Sequence, residues 1–319
     1  MTRSASVARA TARAAGGLAL AGVAGVAWSL VEAQWYALRE VTVPVLPAGQ
    51  RPLRVLHLSD LHLVPSQRRK VDWVRDLASL DPHLVVDTGD NWAHLEAMPA
   101  LLDALEPHLA RPGAFVMGSN DYIAPVAKNP ARYLRPHTGP RPPARPVELP
   151  WRELRRRFVD AGWVDLDNHR GVLELDGRRV SLVGTNDAHL DLDRFPAAGG
   201  PDDARTGHEP VDLHLGVTHA PYRRVLDAML GDDADLVLAG HTHGGQLAVP
   251  LWGALVTNCD LDTRRAKGLH GWPGPRPDRT GGAGSTWLHV SAGLGTSPYT
   301  PVRFACRPEA TLLTLVAAA

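Results

Sequence analysis

Cysteine is nearly missing from this chain. Cys259 and Cys306 lie far apart, with no CxxC pair and no disulfide framework between them, so two unpaired thiols are expected. Net charge is missing too: 34 basic residues balance 34 acidic ones. No whole-protein field therefore attracts nucleic acid, and none is expected as a partner. With 319 residues the chain can bury a full core, as one large domain or two. Its 27 prolines and 30 glycines point to a globular protein with long loops.

Charge is absent again from Ala14 to Val31, behind Arg3, Arg9 and Arg13. A run of about 18 residues is at the lower limit for crossing a bilayer. This one is rich in Ala and Gly, so its transfer energy is modest. Trp28, Trp35 and Tyr36 stand where an interfacial aromatic belt would lie. Residues 1–40 are therefore expected to form a basic region and a membrane-anchoring helix outside the fold, with the remainder on the extracytoplasmic side. The rival is a cleaved signal with a small-x-small site at Val31-Glu32-Ala33, giving a secreted protein. A buried helix of a cytoplasmic protein is a third reading.

From residue 53 onward, short apolar runs end in polar residues of one kind. Leu53 to Ser59 is strand-like and leads into Asp60-Leu61-His62. A helix is expected over roughly 70–80. Leu84-Val85-Val86 then runs into Gly89-Asp90, a second helix follows over 95–109, and Phe115-Val116-Met117 leads into Gly118-Ser119-Asn120-Asp121. Strand–helix–strand–helix–strand order implies parallel pairing, with the loops at the carboxyl ends of the strands gathered on one edge. Residues 122–150 carry eight prolines and several arginines and are expected to be an inserted loop. The basic run Arg155-Arg156-Arg157 follows, either as a solvated helix face or as a rim for anionic substrate.

A hairpin is expected around Asp176-Gly177. Leu213 to Thr218 is a strand ending at His219, and Asp235 to Leu238 is one ending in Gly240-His241-Thr242-His243-Gly244-Gly245. In an extended segment residues i and i+2 point the same way, so His241 and His243 are expected to face one point. A Gly/Pro-rich loop over 272–285 precedes closing strands over 287–291 and 309–315. The architecture expected is two sheets face to face with helices outside.

Asp60, His62, Asp90, Asn120, His219, His241 and His243 thus all follow apolar strands. Seven such groups exceed what one tetrahedral zinc uses. They suit two ions bridged by a carboxylate, and mixed imidazole and carboxylate ligation favours Mn, Fe, Zn or Co. A pair of metals clamps the attacking and leaving oxygens of a phosphoryl displacement and acidifies a water between them.

The ordered set Asp60-x-His62, Gly89-Asp90, Gly118-x-Asn120-Asp121, Thr218-His219 and Gly240-His241-x-His243 resembles the motifs of the calcineurin-like metallophosphoesterases. The Gly-His-Thr-His-Gly-Gly-Gln ending and the Arg303…Arg307-Pro308-Glu309 tail are similar to its small, membrane-associated bacterial members. The resemblance spans roughly 53–315. It implies an α/β fold, a four-layer αββα sandwich of two mixed β-sheets flanked by helices and preceded by the N-terminal hydrophobic helix, with the catalytic domain over 53–319. It also implies that Asp60, His62 and His243 hold one divalent ion, that Asn120, His219 and His241 hold the other, and that Asp90 bridges them.

One departure stands out. The family has Gly-Asn-His-Asp or Gly-Asn-His-Glu after the third strand, where this chain has Gly118-Ser119-Asn120-Asp121. Aligned without a gap, Ser119 takes the ligand position and Asn120 that of the histidine; a one-residue shift keeps Asn120 as the ligand. Asn120 is expected on the metal, because an amide oxygen ligates better than a serine hydroxyl, and either way no imidazole stands there. Protonation of the leaving group then falls to Asp121, to a histidine such as His94 or His189, or to water. The expectation is a dinuclear phosphoesterase acting on a phosphomonoester or phosphodiester. The membrane-proximal location suggests a phospholipid or lipid-linked substrate, and a monomer is expected. The alternative is a catalytically weak or inactive metal- or phosphate-binding module.

Overall fold

The computed structural model describes residues 2–127, 146–200, 203–206 and 210–318. Most of the expected insertion over 122–150 lies outside the described residues. Strands and helices are numbered along the chain.

The first sheet holds six strands in the spatial order β1 (Ala37–Leu46), β14 (Glu309–Ala317), β2 (Leu53–Leu58), β3 (Leu84–Asp87), β4 (Gly113–Phe115) and β5 (Val164–Asp165). The second has the order β12 (Gly268–Trp272), β13 (Thr286–Val290), β9 (Leu236–Ala239), β8 (Leu213–Thr218), β7 (Arg178–Thr185) and β6 (Arg170–Leu175). A two-stranded ribbon, β10 (Ala248–Val249) with β11 (Gly253–Ala254), stands apart. Both large sheets are mixed: β2, β3 and β4 pair in parallel, as do β7, β8 and β9, whereas β14–β2 and β6–β7 are antiparallel.

The layers follow from which faces are apolar. Val43, Leu53, Val55, Leu84 and Val86 of the first sheet meet Leu182, Leu215, Val217, Leu236 and Leu238 of the second in one buried cluster. The opposite face of the first sheet is covered by α2 (Arg68–Asp76), α3 (Met98–Leu109) and α4 (Trp151–Asp160), through Val71, Val74, Leu101, Leu105, Leu154 and Phe158. The outer face of the second sheet is covered by α5 (Arg223–Gly231), through Val225, Leu226 and Met229. This is the four-layer αββα sandwich. The strand expected at 115–117 lies instead at Gly113–Phe115, because the Met117 N–H leaves the ladder and donates to the Asp167 carboxylate at 2.9 Å.

The first forty residues do not stand outside the fold as expected. Helix α1 runs over Thr2–Glu32, and β1 follows it as an edge strand parallel to β14. Leu18, Leu20, Val23 and Val26 of α1 are exposed. No described helix is long and apolar enough to cross a membrane, which corrects the reading of 14–31 as a spanning segment. Length is not what fails in a helix of 31 residues. Its many Ala and Gly side chains carry too little apolar surface.

Both cysteines are unpaired, Cys306 being buried. Arg155 pairs with Asp165, and Arg156 and Arg157 with Glu153, so all three arginines of that basic run are engaged within the fold.

Candidate metal centre

The loops after β2, β3, β8 and β9 meet between the two sheets at one edge. Five of their polar residues take the left-handed backbone conformation: Asp60 (φ 49°), His62 (φ 42°), Asp90 (φ 58°), His241 (φ 68°) and His243 (φ 51°). Such φ values cost free energy in residues with a Cβ, and they persist where surrounding structure enforces them. They also correct the extended-segment argument made for His241 and His243, whose side chains part company. The enforcing contacts are backbone ones: the Asp60 N–H donates to Gly89 O at 2.8 Å and the His62 N–H to Asp90 O at 2.9 Å. Gly240 is required by close approach, since a Cβ there would lie 2.0 Å from the Ser59 hydroxyl.

Asp60, His62 and His243 form one group able to hold an ion, and Asp60, Asp90 and His219 a second. In the first, His62 Nε2 stands 3.2 Å from His243 Nε2, and His243 Nε2 stands 3.5 Å from Asp60 Oδ1. Ligands about 2.1 Å from one tetrahedral ion stand about 3.4 Å from each other, so the spacing fits. Asp60 is common to both groups, and Asp90 of the second reaches the first as well, its Oδ2 3.4 Å from His62 Nε2 and 3.6 Å from His219 Nε2. Asp60 Oδ1 and His219 Nε2 are buried without a hydrogen-bond partner, which is how metal-facing atoms stand in a site shaped for cations.

The imidazoles are aimed from behind. His219 Nδ1 lies 2.7 Å from Thr88 O and His243 Nδ1 lies 3.1 Å from Gly295 O. A carbonyl only accepts, so each of these contacts calls for a proton on Nδ1 and leaves Nε2, once unprotonated, to face the ligand group; Arg303 Nη2, a donor, also stands 3.4 Å from His243 Nδ1. His241 turns elsewhere. Its ring meets those of His219 and His189, and its Nε2 lies 3.2 Å from Asn258 O.

Burial drives His62 down to about 4 and His241 and His243 well below the usual imidazole range, so these rings are neutral. Burial pulls His219 the same way, but Asp90, Asp187 and Asp60 outweigh it and raise it to about 9. Burial likewise raises Asp60, to about 6. Asp90 is held well below the usual carboxylate range: burial opposes this, while His219, His62 and the bonds from Asn120 outweigh it.

Asn120 donates its backbone N–H to Asp90 Oδ1 at 2.7 Å, and its side-chain amide lies 2.6 Å from Asp90 Oδ2. It therefore sits at the centre, against the carboxylate between the two groups. Asp121 does not present itself to the centre. It is fully buried, and its carboxylate accepts the N–H groups of Asp90, Asn91 and Gly118, each at 2.8 Å. His94 is exposed and accepts the Glu96 N–H. His189 is brought in: its ring centroid lies 4.7 Å from that of His241, with Nδ1 3.1 Å from Tyr222 Oη. His57 is a buried core histidine paired with His289, and Trp92 is packed with its indole N–H on Asp121 O.

Arg303 opens the Arg303…Arg307-Pro308-Glu309 tail, and its fully buried guanidinium stands directly behind His243. Lys70, also buried, donates to Leu61 O at 2.8 Å, and burial lowers it to about 7. A charged residue on an otherwise apolar helix face was the available signal for Lys70. No local pattern marks Arg303.

The profile of the family described as "Calcineurin-like phosphoesterase" matches residues 53–245. An uncharacterized protein, YpbG, of Bacillus subtilis (strain 168) is 24% identical over 308 residues, covering 93% of this chain and 96% of that protein. Phosphodiesterase YaeI of Escherichia coli (strain K12) is 33% identical over 156 residues, 49% of this chain and 48% of that one. A protein of Bos taurus named "Transmembrane protein with metallophosphoesterase domain" is 28% identical, over 70% of this chain and 48% of its own length.

Proposed function

Because this chain belongs to the calcineurin-like phosphoesterase family, the metal-dependent phosphoester hydrolases, we propose that it works with two divalent ions on a phosphodiester carried at a membrane surface. The observation that carries the two-ion reading is Asp90 Oδ2, set between His62 of one ligand group and His219 of the other. Bound there, the ions supply charge to neutralise the phosphoryl oxygens and acidity to a water.

The chain's own residues do the rest. His62 and His243, neutral and aimed by their surroundings, hold one ion with Asp60. His219, Asn120 and, through Nδ1, His241 would serve the second; the Asn120 amide nitrogen faces Asp90 Oδ2, so a flipped amide would bring its oxygen to the ion instead. Amide orientation follows the surrounding charges. Asp121 holds the Asp90 and Asn91 backbones and thereby fixes the bridging carboxylate. His189 borders the site beside His241, where it meets the departing group. Manganese, iron, zinc or cobalt fits this ligand chemistry.

A membrane-side location is supported by the exposed apolar residues of α1 and by Trp28 and Trp35, both exposed at its end. Too weakly apolar to span, the helix is read as lying in the interface. The test is a Mn²⁺-activated screen of p-nitrophenyl phosphate, bis-p-nitrophenyl phosphate and phospholipid head groups presented in vesicles. Turnover of diesters, with vesicle substrates preferred, supports the reading. No turnover of any ester with two ions bound would make the chain a binding module.

A further inference from the structure

Helix α1 is fastened to the fold at its last turn, and the fastening leads straight to the metal centre. Glu32 is buried, although it follows a run without charge. Its carboxylate accepts the Cys306 N–H at 2.6 Å, the Ala305 N–H at 3.1 Å and the Trp28 indole N–H at 2.8 Å. One turn earlier, Ser29 O accepts the Arg303 N–H at 3.0 Å. The turn 303–306 is thus held at both ends by α1. It needs holding, because Ala305 sits at φ 50°, a conformation that residues with a Cβ disfavour.

The turn carries Arg303, whose guanidinium crosses to the ligand loops. Its Nη2 donates to Ala292 O at 2.7 Å and to Gly295 O at 2.7 Å, and its Nη1 to His243 O at 3.3 Å. Gly295 O is the same atom that orients the His243 imidazole. The 293–295 segment also presses on the other ligands: a Cβ on Gly295 would lie 2.7 Å from His62 Cβ, and one on Gly293 would lie 2.5 Å from Asp60 Cβ. The Cys306 thiol adds a donor to His243 O at 3.3 Å. One chain of contacts therefore runs from Glu32 through 303–306 to Asp60, His62 and His243, all three ligands of a single ion.

We infer that Glu32 is a positioning residue of the metal centre, so that the last turn of α1 belongs to the active protein and is not a removable leader. This rests on the metal-centre reading above. Glu32 touches neither ion nor substrate. It fixes the turn from which Arg303 sets the carbonyl behind His243. Cleavage after Ala33 would release Glu32 and Ser29 together and leave the N–H groups of Arg303, Ala305 and Cys306 without those acceptors.

The test uses the full-length chain, stripped of metal and titrated with Mn²⁺ by calorimetry. In Glu32→Gln one carboxylate oxygen becomes an amide donor facing N–H donors. Removing a direct outer partner of a metal ligand weakens metal binding by about 10–100-fold, and Glu32, which acts through Arg303, is expected to reach the lower end, about 10-fold. That loss is expected at the ion held by Asp60, His62 and His243, with a smaller one at the other ion, whose group shares Asp60. A general loss of stability would weaken both equally. Arg39→Gln, which breaks the Arg39–Glu309 pair at the neighbouring sheet edge, is expected to bind both ions as the natural chain does. Unchanged affinities in Glu32→Gln, or equal weakening of both ions, would overturn the inference. Should Glu32→Gln fail to fold, N-terminal sequencing of the metal-loaded natural protein decides: residues through Glu32 retained support it, and a chain beginning at Gln34 with two ions bound overturns it. A natural chain that binds no ion at all would instead overturn the metal centre.

Discussion

His62 and His243 stack with their ring centroids 4.9 Å apart and their Nε2 atoms facing each other at 3.2 Å. They come from loops 181 residues apart in sequence. Two neutral imidazoles brought nitrogen to nitrogen beside the Asp60 carboxylate gain little from each other and much from a shared cation.

Asp90→Asn should abolish turnover and weaken both ions, because the carboxylate between the two groups neutralises two cations. His243→Ala should weaken one ion and spare the other. Elemental analysis of the purified variants checks this. An Asp90→Asn protein that keeps two tightly bound ions would remove Asp90 from the bridging position.

Metal binding should release protons and strengthen with pH. His219, raised to about 9, carries a proton at neutral pH that it must lose to become a ligand. Asp60, raised to about 6, adds a second below that pH. Affinity should therefore climb from pH 5 to about pH 9 and level off above it, in line with these two groups giving up their protons. Calorimetry in buffers of different ionisation heat counts the protons. Binding near neutral pH with none released would contradict the protonated His219.

Asp121→Asn should destabilise the fold by about 1–3 kcal/mol, the cost of leaving a buried N–H without its acceptor. It should lower turnover of alkyl and p-nitrophenyl esters alike, since Asp121 acts by holding Asp90 and Asn91. Chemical denaturation and parallel kinetics on both ester types check it. A loss confined to alkyl esters would make Asp121 the proton donor.

Restoring the family pattern with Ser119→Asn and Asn120→His should raise turnover on alkyl phosphodiesters more than on p-nitrophenyl esters. An alkoxide leaves poorly without a proton, whereas p-nitrophenolate leaves readily, and one general acid contributes about 10²–10⁴-fold. Equal effects on both esters with unchanged metal content would mean that the natural site already has its acid.

Much of this candidate centre was legible in the sequence because its residues stand directly after buried β-strands. Asp60, Asp90 and His219 each follow an apolar run, and a parallel sheet brings such ends to one edge. The two-sheet architecture was legible for the same reason. What was not legible depends on contacts between distant segments. The place of residues 37–46 in the first sheet was not legible because their partner, β14, lies near the other end of the chain. The i, i+2 argument failed for His241 and His243 because the loop enforces left-handed backbone there, which no periodicity reveals. Asp121 looked catalytic by its place in a motif, but its role is set by three N–H groups, two of them from another loop. Glu32 meets Ala305 and Cys306, in the turn that carries Arg303, across 273 and 274 residues, and only the folded chain brings them together.

The central claim is that two ions act together in one phosphoesterase site. It is tested most directly by adding Mn²⁺ stepwise to metal-free protein while following both bound metal and hydrolysis of bis-p-nitrophenyl phosphate. Turnover that stays near zero through the first equivalent and rises with the second is the predicted result. Full turnover with one ion bound per chain, or none with two, would contradict it.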